Sequence, residues 1–393
     1  MNKTRTRFAP SPTGYMHIGN LRTALFEFLI AKHEGGDFLL RIEDTDQERK
    51  VEGAVDVIYK TLKECGLNWD EGPDIGGDFG PYVQSERLPM YKGYAEDLIK
   101  LGGAHYCFCS EEEIEAQRKE AESLGISFKF NDPCKHLSAE EVQAKLDAGE
   151  PYVIRQTIKD VGETYFDDEV YGRIEVDGDV LDEQILIKSD GYPTYNFANI
   201  IDDHQMQISH VVRGNEYLSS TPKYNLIYDA YGWQRPTYVH VPPVMKDEHH
   251  KLSKRNGDAS FQDLVAKGYL PDAIMNYIAL LGWAPETEQE IYTLDELIKV
   301  FNIHRISKSP AIFDIDKLTW MNGVYLRNMD EETYYETVRP YLEKAVHGAY
   351  NLKEIAKIIQ PRIDILNQIE ESQNVDSLDI FSQEEDEEGE YLA

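Results

Sequence analysis

The chain has 393 residues and a formal net charge of −32, with 40 Lys and Arg against 72 Asp and Glu. This excess of negative charge argues against a protein that coats nucleic acids, because non-specific binding depends on Lys and Arg facing phosphates. It leaves room for a local basic track for RNA on an acidic body. At roughly 100–200 residues per domain, the length predicts two to four domains.

The sequence contains no long uninterrupted apolar segment, so we expect no transmembrane helix. The first residues run directly into a candidate site loop and leave no room for a signal peptide, which predicts a cytoplasmic protein. Structural disulfides are not expected in that compartment. The chain has four cysteines: Cys65, Cys107, Cys109 and Cys134.

The first predicted unit is a strand, a tight loop and a helix. Residues 4–8 suit a short strand, and the two prolines after it, Pro10 and Pro12, begin a loop. Beyond the loop, apolar residues recur at helical spacing and predict an inward helix face: Leu21, Ala24, Leu25, Phe28 and Leu29. Gly19 at the helix start lets a ligand lie against bare backbone, where free N–H groups favour phosphate. His17 can point a donor at the same phosphates.

A second stretch lies far downstream, at residues 251–257, after a strand-like run at 238–241. It combines three cations, a hydroxyl group and a glycine on a loop. This set suits a triphosphate, because phosphate oxygens bind Lys, Ser hydroxyl and backbone N–H groups together. A solvated basic loop is the alternative interpretation, although the chain is otherwise acidic.

Together the two stretches resemble the HIGH and KMSKS signatures of class I aminoacyl-tRNA synthetases. They stand here as His17-Ile18-Gly19-Asn20 and Lys251-Leu252-Ser253-Lys254-Arg255. Two further phrases resemble the glutamyl-tRNA synthetase family: Arg7-Phe8-Ala9-Pro10-Ser11-Pro12-Thr13-Gly14 and Arg41-Ile42-Glu43-Asp44-Thr45-Asp46. Asn20 replaces the last His of the first signature, which removes one possible phosphate donor but keeps His17. The resemblance extends from about residue 4 to about residue 362.

The resemblance implies an α/β protein, and the buried run at 38–42 fits a parallel strand of such a fold. We expect a doubly wound, Rossmann-like parallel-sheet catalytic domain with an α+β insertion, followed by an all-α C-terminal region. The expected divisions are a catalytic domain at 1–95 and 199–257, an inserted acceptor-binding module at 96–198, a stem-contact helical domain at 258–330, a partial anticodon-binding helical bundle at 331–373, and an acidic, disordered tail at 374–393. The anticodon-binding region is therefore expected to be shorter than in the family.

The resemblance also implies where ATP binds. The implied ATP-binding residues are His17, Gly19, Asn20, Glu216, Lys251, Ser253, Lys254 and Arg255. His17 and Lys254 are implied as the catalytic pair, because fixed positive charge, together with Mg²⁺ on the ATP, stabilises the charge that moves onto pyrophosphate.

A glutamate substrate carries two carboxylates, and planar Arg side chains bind carboxylates in bidentate fashion. Arg7 and Arg213 are the candidates at strand ends around the site, although Arg213 could instead pair with Asp202 or Asp203. By resemblance, Glu43 holds the ammonium group of the substrate. The implied glutamate-binding residues are Arg7, Ala9, Ser11, Glu43, Tyr195, Asn199, Arg213 and Tyr217.

A possible metal site lies in the predicted insertion. Cys107-x-Cys109 is followed, after 24 intervening residues, by Cys134-x-His136. Cys thiolates and His nitrogens are ligands of Zn²⁺, and two close pairs of them fit a tetrahedral structural site. Zinc-containing members of the glutamyl-tRNA synthetase family have the same spacing. The alternative is that the thiols are small buried residues and that His136 is exposed.

The implied function is ATP-dependent attachment of L-glutamate to tRNA-Glu through glutamyl-adenylate. The expected partners are ATP, L-glutamate and tRNA-Glu, with tRNA-Gln left open, and we expect a monomer without membrane contact. Three alternatives remain: a glutamyl-queuosine tRNA-Asp synthetase, a glutamine-specific enzyme, and a truncated non-charging paralogue that binds tRNA or a partner. The intact loop at 251–255 argues against the queuosine enzyme, and the intact site argues against the paralogue.

Overall fold

The computed structural model describes residues 3–45, 51–159, 162–252, 260–347 and 350–371. The strands are β1 Arg5–Phe8, β2 Asp37–Leu40, β3 Ala104–Cys107, β4 Val153–Gln156, β5 Glu163–Asp168, β6 Gly172–Asp177, β7 Ile185–Ile187, β8 His210–Gly214, β9 Thr237–Val241, β10 Val244–Met245 and β11 Ala311–Ile312. The helices are α1 Ile18–His33, α2 Ala54–Glu64, α3 Leu88–Lys100, α4 Glu111–Ser123, α5 Ala139–Asp147, α6 Tyr195–Gln205, α7 Thr221–Tyr231, α8 Phe261–Ala266, α9 Pro271–Ala279, α10 Leu294–Val300, α11 Ile315–Asn328, α12 Glu331–Ala345, α13 Leu352–Ile359 and α14 Gln368–Glu371.

Parallel strands form the centre of the molecule. β1 pairs in parallel with β2, and β8 pairs in parallel with β9. The amide of Ser209 donates to the carbonyl of Arg5 at 3.0 Å, which places β8 beside β1. Each pair is linked by a helix, α1 or α7, so both are βαβ units. The predicted parallel α/β core is confirmed, and the carboxyl ends of β1, β2 and β8 meet at the edge where such sheets bind ligands.

Helix α1 packs against this sheet as its apolar spacing predicts. The five residues predicted for its inner face are all buried: Leu21, Ala24, Leu25, Phe28 and Leu29. The helix ends at His33, and Gly35 then adopts a φ of 64°, a left-handed conformation that favours glycine. The strand, loop and helix therefore form one rigid unit that fixes the position of His17.

The predicted insertion contains a small antiparallel sheet, β3-β4-β7, with α4 and α5 beside it. The predicted boundary at residue 95 falls inside the continuous helix α3, whose inward residues Tyr91, Ala95 and Leu98 are buried. The hairpin of β5 and β6 joins the catalytic sheet instead, because Asp168 of β5 pairs with Tyr238 of β9. Residues 163–177 thus extend the central sheet.

The region after residue 260 is helical apart from β11. Its terminal helices share an apolar cluster with the preceding region: Leu270, which precedes α9, and Ala273 of α9 lie in the same cluster as Val338 and Ile355. The amide of Leu366 also donates to the carbonyl of Gly268 at 3.1 Å. The predicted tail at 374–393 lies outside the described residues. None of the described helices combines the length and the apolar content that a membrane span requires.

Candidate active site

The N-terminus of α1 brings the two signature stretches together. His17 is the N-cap of the helix, and its Nδ1 accepts a hydrogen bond from the Gly19 amide at 3.0 Å. Since Nδ1 acts as the acceptor, Nε2 carries the proton and donates to the carbonyl of Leu252 at 3.1 Å. On the other side of the loop, the Phe261 amide donates to the Met16 carbonyl at 3.1 Å. Leu252 and Phe261, the described residues on the two sides of 253–259, therefore both contact the residues at the start of α1.

The other predicted ATP-binding residues are placed as follows. Asn20, Glu216 and Lys251 are exposed, and Glu216 folds over Gly214, where an added Cβ would clash with its carboxylate. A Cβ on Gly19 would lie 3.2 Å from Nδ1 of His17, so a small residue keeps the cap undisturbed. Ser253, Lys254 and Arg255 fall outside the described residues.

Arg7, predicted to bind a substrate carboxylate, lies in a buried ionic network. Its Nε donates to Asp203 at 2.8 Å and its Nη1 to Glu27 at 3.1 Å. Arg41 donates to the same Asp203 oxygen at 2.8 Å. Burial would raise the pKa of Asp203, but the charges of Arg7 and Arg41 outweigh it and lower the pKa. Only Nη2 of Arg7 is left without a hydrogen bond to these partners.

Arg213 has a different environment. It is buried, and its Nη2 donates to the hydroxyl of Thr221 at 2.8 Å, while its Nε donates to Nε2 of His240 at 3.1 Å. Its guanidinium lies 4.7–5.5 Å from the ring centres of three tyrosines: Tyr217, Tyr224 and Tyr238. Within the described parts of the chain, no carboxylate is within ion-pair distance of it. The alternative pairing with Asp202 or Asp203 is wrong, because those carboxylates bind Arg7, Arg41 and Arg87.

Of the other predicted glutamate contacts, Tyr217 lies against this cation. The rings of Tyr195 and Tyr217 are 5.5 Å apart. Burial and the charge of Glu43 hold the pKa of Tyr195 well above its usual range. Glu43 is itself buried and accepts from Nη2 of Arg41 at 2.9 Å. Burial raises its pKa in spite of that arginine.

Asn199 completes the inner side of this site. It is 2% exposed, and its Nδ2 has no hydrogen-bond partner among the residues that the structure describes. A buried donor without a partner is costly, which indicates that a ligand accepts from it. The loop that follows β1 is more accessible to solvent: Ala9 is partly buried and Ser11 is exposed. The loop contacts the next strand because the Glu43 amide donates to the Pro10 carbonyl at 3.1 Å.

Two residues next to Arg213 were missed by the sequence analysis. His240, fully buried in β9, contacts Arg213, and Nδ1 of His240 lies 2.6 Å from Oδ2 of Asp168. The only signal in the sequence was a histidine within an otherwise apolar strand. Asp168 gave no signal, because its place beside β9 depends on the pairing of β5.

The predicted metal ligands come together in part. Ligand atoms of Cys107, Cys109, Cys134 and Asp132 all lie within 4.8 Å of one another. His136, predicted as the fourth ligand, is exposed and lies outside this group. The reason is the 3₁₀ turn Pro133–His136, in which residues two apart point to different sides. The carboxylate of Asp132 instead folds back to accept from the Cys134 amide at 2.9 Å.

Comparisons with known proteins show which family the chain resembles. The family model described as the catalytic domain of class I tRNA synthetases (E and Q) matches residues 3–320. A glutamate–tRNA ligase of Clostridium botulinum is 59% identical over 381 residues, which are 97% of this chain and 78% of that protein. The corresponding protein of Clostridium tetani is 60% identical over 370 residues, 94% of this chain and 76% of its own length.

Solved structures are similar as well. A glutamate tRNA ligase from Elizabethkingia meningosepticum, crystallised in complex with its amino acid, superposes with a TM-score of 0.89 at 37% identity. The match covers 95% of this chain and 80% of that one. A glutamate-tRNA synthetase from Elizabethkingia anophelis gives a TM-score of 0.88 at the same identity.

Proposed function

This chain belongs to the class I tRNA synthetases of the glutamate and glutamine group, and we propose that it attaches L-glutamate to tRNA-Glu in two ATP-dependent steps. In the first, the carboxylate of glutamate attacks the α-phosphorus of ATP and releases pyrophosphate. In the second, the terminal ribose hydroxyl of the tRNA attacks the carbonyl of glutamyl-adenylate, which forms the ester and releases AMP. We place this reaction in the cytoplasm, where charged tRNA is used for translation.

The observation that carries this proposal is the environment of Arg213. A buried guanidinium without a carboxylate partner is a site for an anion, because an unpaired buried charge is strongly destabilising. We assign two further buried polar groups to the same site: Nδ2 of Asn199, which has no hydrogen bond to the described residues, and the carboxylate of Glu43. An anionic side chain suits this cation better than the neutral amide of glutamine, so glutamate is the proposed substrate.

The N-terminus of α1 is the proposed site for the phosphates of ATP. Positioning and fixed positive charge perform the chemistry, and no side chain needs to act as a covalent nucleophile. His17 donates through Nε2, which contacts Leu252 in this structure, and this donor must turn towards phosphate when ATP binds. Lys254 is proposed to supply a second positive charge. Mg²⁺ bound with the ATP would neutralise part of the phosphate charge.

We further propose that the cysteine cluster holds one structural Zn²⁺. Three thiolates and one carboxylate form a donor set that Zn²⁺ accepts. The ligands are Cys107, Cys109 and Cys134, with Asp132 in the fourth place because its carboxylate, and not the ring of His136, faces the thiols. Asp132 also accepts from His105 at 3.0 Å, which fixes its orientation. The metal would join β3 to the turn that precedes α5.

The proposed function is tested by incubating the purified chain with radiolabelled glutamate, total tRNA and ATP, and by sequencing the labelled tRNAs. Label on tRNA-Glu, absent without ATP, is the expected result, and additional label on tRNA-Gln would widen the substrate range. Label on tRNA-Asp alone would identify the queuosine enzyme. Bound ATP and tRNA without label would identify a non-charging paralogue. Either of the last two outcomes overturns the proposal.

A further inference from the structure

Arg213 is held by a buried chain of two hydrogen bonds that the reaction steps above do not use. Nδ1 of His240 lies 2.6 Å from Oδ2 of Asp168, and Nε2 of His240 accepts from Nε of Arg213 at 3.1 Å. All three residues are buried, with exposed fractions of 0%, 4% and 7% for His240, Asp168 and Arg213. An exposed edge of the sheet could not hold such a chain, because water would compete for each bond.

The partners of Asp168 fix which nitrogen of the ring carries the proton. Its Oδ1 accepts from the amides of Val170 at 3.0 Å and Tyr171 at 2.8 Å. Its Oδ2 accepts from the amide of His240 at 3.1 Å. Since the carboxylate is surrounded by donors, Nδ1 of His240 is the protonated nitrogen and Nε2 presents a lone pair. That lone pair is what Arg213 requires, because a guanidinium only donates.

The chain also preserves the positive charge of Arg213. Burial lowers the pKa of His240, so the group in contact with Arg213 is a neutral ring. Asp168 binds the ring, and no ion pair joins it to the guanidinium. Arg7 shows the contrast, because two carboxylates contact it directly and offset its charge. A cation oriented by neutral acceptors, His240 and Thr221, keeps its attraction for an incoming carboxylate.

We propose that Asp168 and His240 are positioning residues that hold Arg213 so that its Nη1 side faces the carboxylate of the glutamate side chain. Nε and Nη2 of Arg213 are occupied by His240 and Thr221, which leaves Nη1 as the nitrogen without a hydrogen bond to the described residues. This inference rests on the proposed function, since it names how the same site selects its amino acid. Asp168 and His240 themselves do not contact the substrate.

Two substitutions of His240 separate positioning from packing. His240→Asn keeps a donor for Asp168 but removes the acceptor for Arg213, whereas His240→Gln can place its amide oxygen near the former Nε2 and accept from Arg213. Both remove the ring from the same core. In tRNA charging by the full chain, we expect His240→Asn to raise the KM for glutamate about tenfold, the effect of one hydrogen bond to a charged group. His240→Gln should restore most of this loss, and the KM for ATP should stay unchanged in both.

Phe166→Leu provides the control for lost packing. The ring of Phe166 lies 6.2 Å from that of His240, and it makes none of the hydrogen bonds in the chain. The KM of this variant for glutamate should equal that of the unaltered protein, even if its melting temperature falls. An equal KM for glutamate in His240→Asn and His240→Gln, or a parallel rise in the KM for ATP, would overturn the inference.

A second measurement needs no substitution. Among the eleven histidines, His240 is the one that is fully buried, so its ring nitrogens should give a solvent-protected signal in nitrogen NMR of the histidine-labelled chain. The Nδ1–H form is expected, and the Nε2–H form would overturn the inference.

If the unaltered chain charges no tRNA with glutamate, the proposed function fails. If it charges normally and only the His240 effects are missing, the positioning role fails alone.

Discussion

At the scale of single residues, the charge of Arg213 should decide the affinity for glutamate. Arg213→Gln removes the cation but keeps a polar side chain of similar length. We expect kcat/KM for glutamate to fall by about 10- to 150-fold, the cost of a hydrogen bond to a charged group, with the KM for ATP unchanged. Steady-state charging of tRNA measures both. Arg173→Gln, which removes an exposed arginine paired with Asp167 on the β5–β6 hairpin, should behave as the unaltered enzyme.

Asp203 should contribute to stability rather than to substrate affinity. Its Oδ1 binds both Arg7 and Arg41, each at 2.8 Å, and its side chain is 5% exposed. Asp203→Asn leaves two buried cations with one fewer acid, so we expect the free energy of unfolding to fall by about 3–5 kcal/mol. Unfolding in guanidinium chloride measures the change.

The matched control is Asp167→Asn, which breaks an exposed ion pair with Arg173. Exposed pairs contribute roughly 0–1 kcal/mol, so this variant should unfold almost as the unaltered protein does. If Asp203→Asn costs no more than Asp167→Asn, the buried network does not stabilise the fold in the way described.

The sequence predicted which residues lie at the site better than it predicted what they contact. Arg213 lies near the end of β8 and Tyr217 lies just beyond it, and the ends of parallel strands meet at one edge, so their proximity could be foreseen. The partner of Arg7 could not be foreseen, because Asp203 is 196 positions away in helix α6, whereas Arg7 lies in strand β1. Hydrogen-bond partners of buried ions depend on packing between distant elements. His240 was missed for the same reason.

At the scale of elements, the turn Pro133–His136 decides which residue can be the fourth ligand of the metal. We expect about one Zn²⁺ per chain, lost in Cys134→Ser and in Asp132→Ala but retained in His136→Ala. The reason is that Asp132 faces the three thiols and His136 is exposed. Metal analysis of the purified proteins measures the content. Loss of zinc in His136→Ala, with retention in Asp132→Ala, would show that the turn rearranges around the metal.

Helix α1 could be predicted as an element because its apolar spacing is local to the chain. The hairpin of β5 and β6 lies within the range predicted for the insertion but pairs with β9, since a strand pattern indicates that a segment pairs but not with which strand. Here one pair, Asp168 with Tyr238, joins the hairpin to the central sheet. That same pairing brings Asp168 to His240, so this contact could not be foreseen from the sequence.

At the scale of the whole molecule, the distribution of charge should affect tRNA binding. The chain carries a net charge of −32, and residues 374–393 contain eight acids and no Lys or Arg. Negative charge near an RNA backbone slows its approach, and salt screens this effect beyond about 8 Å at physiological ionic strength. A variant that ends at residue 373 should therefore have a lower KM for tRNA at low salt.

We expect a decrease of about two- to tenfold at low salt, which should disappear as salt is raised, while the KM values for glutamate and ATP stay the same. A matched variant with the eight acids replaced by Asn and Gln separates charge from length, and it should behave like the truncated protein. If the neutral variant keeps the original KM while truncation lowers it, these residues act by their bulk. If neither change alters the KM for tRNA at any salt concentration, the acidic segment is too distant from the bound tRNA for its charge to affect binding.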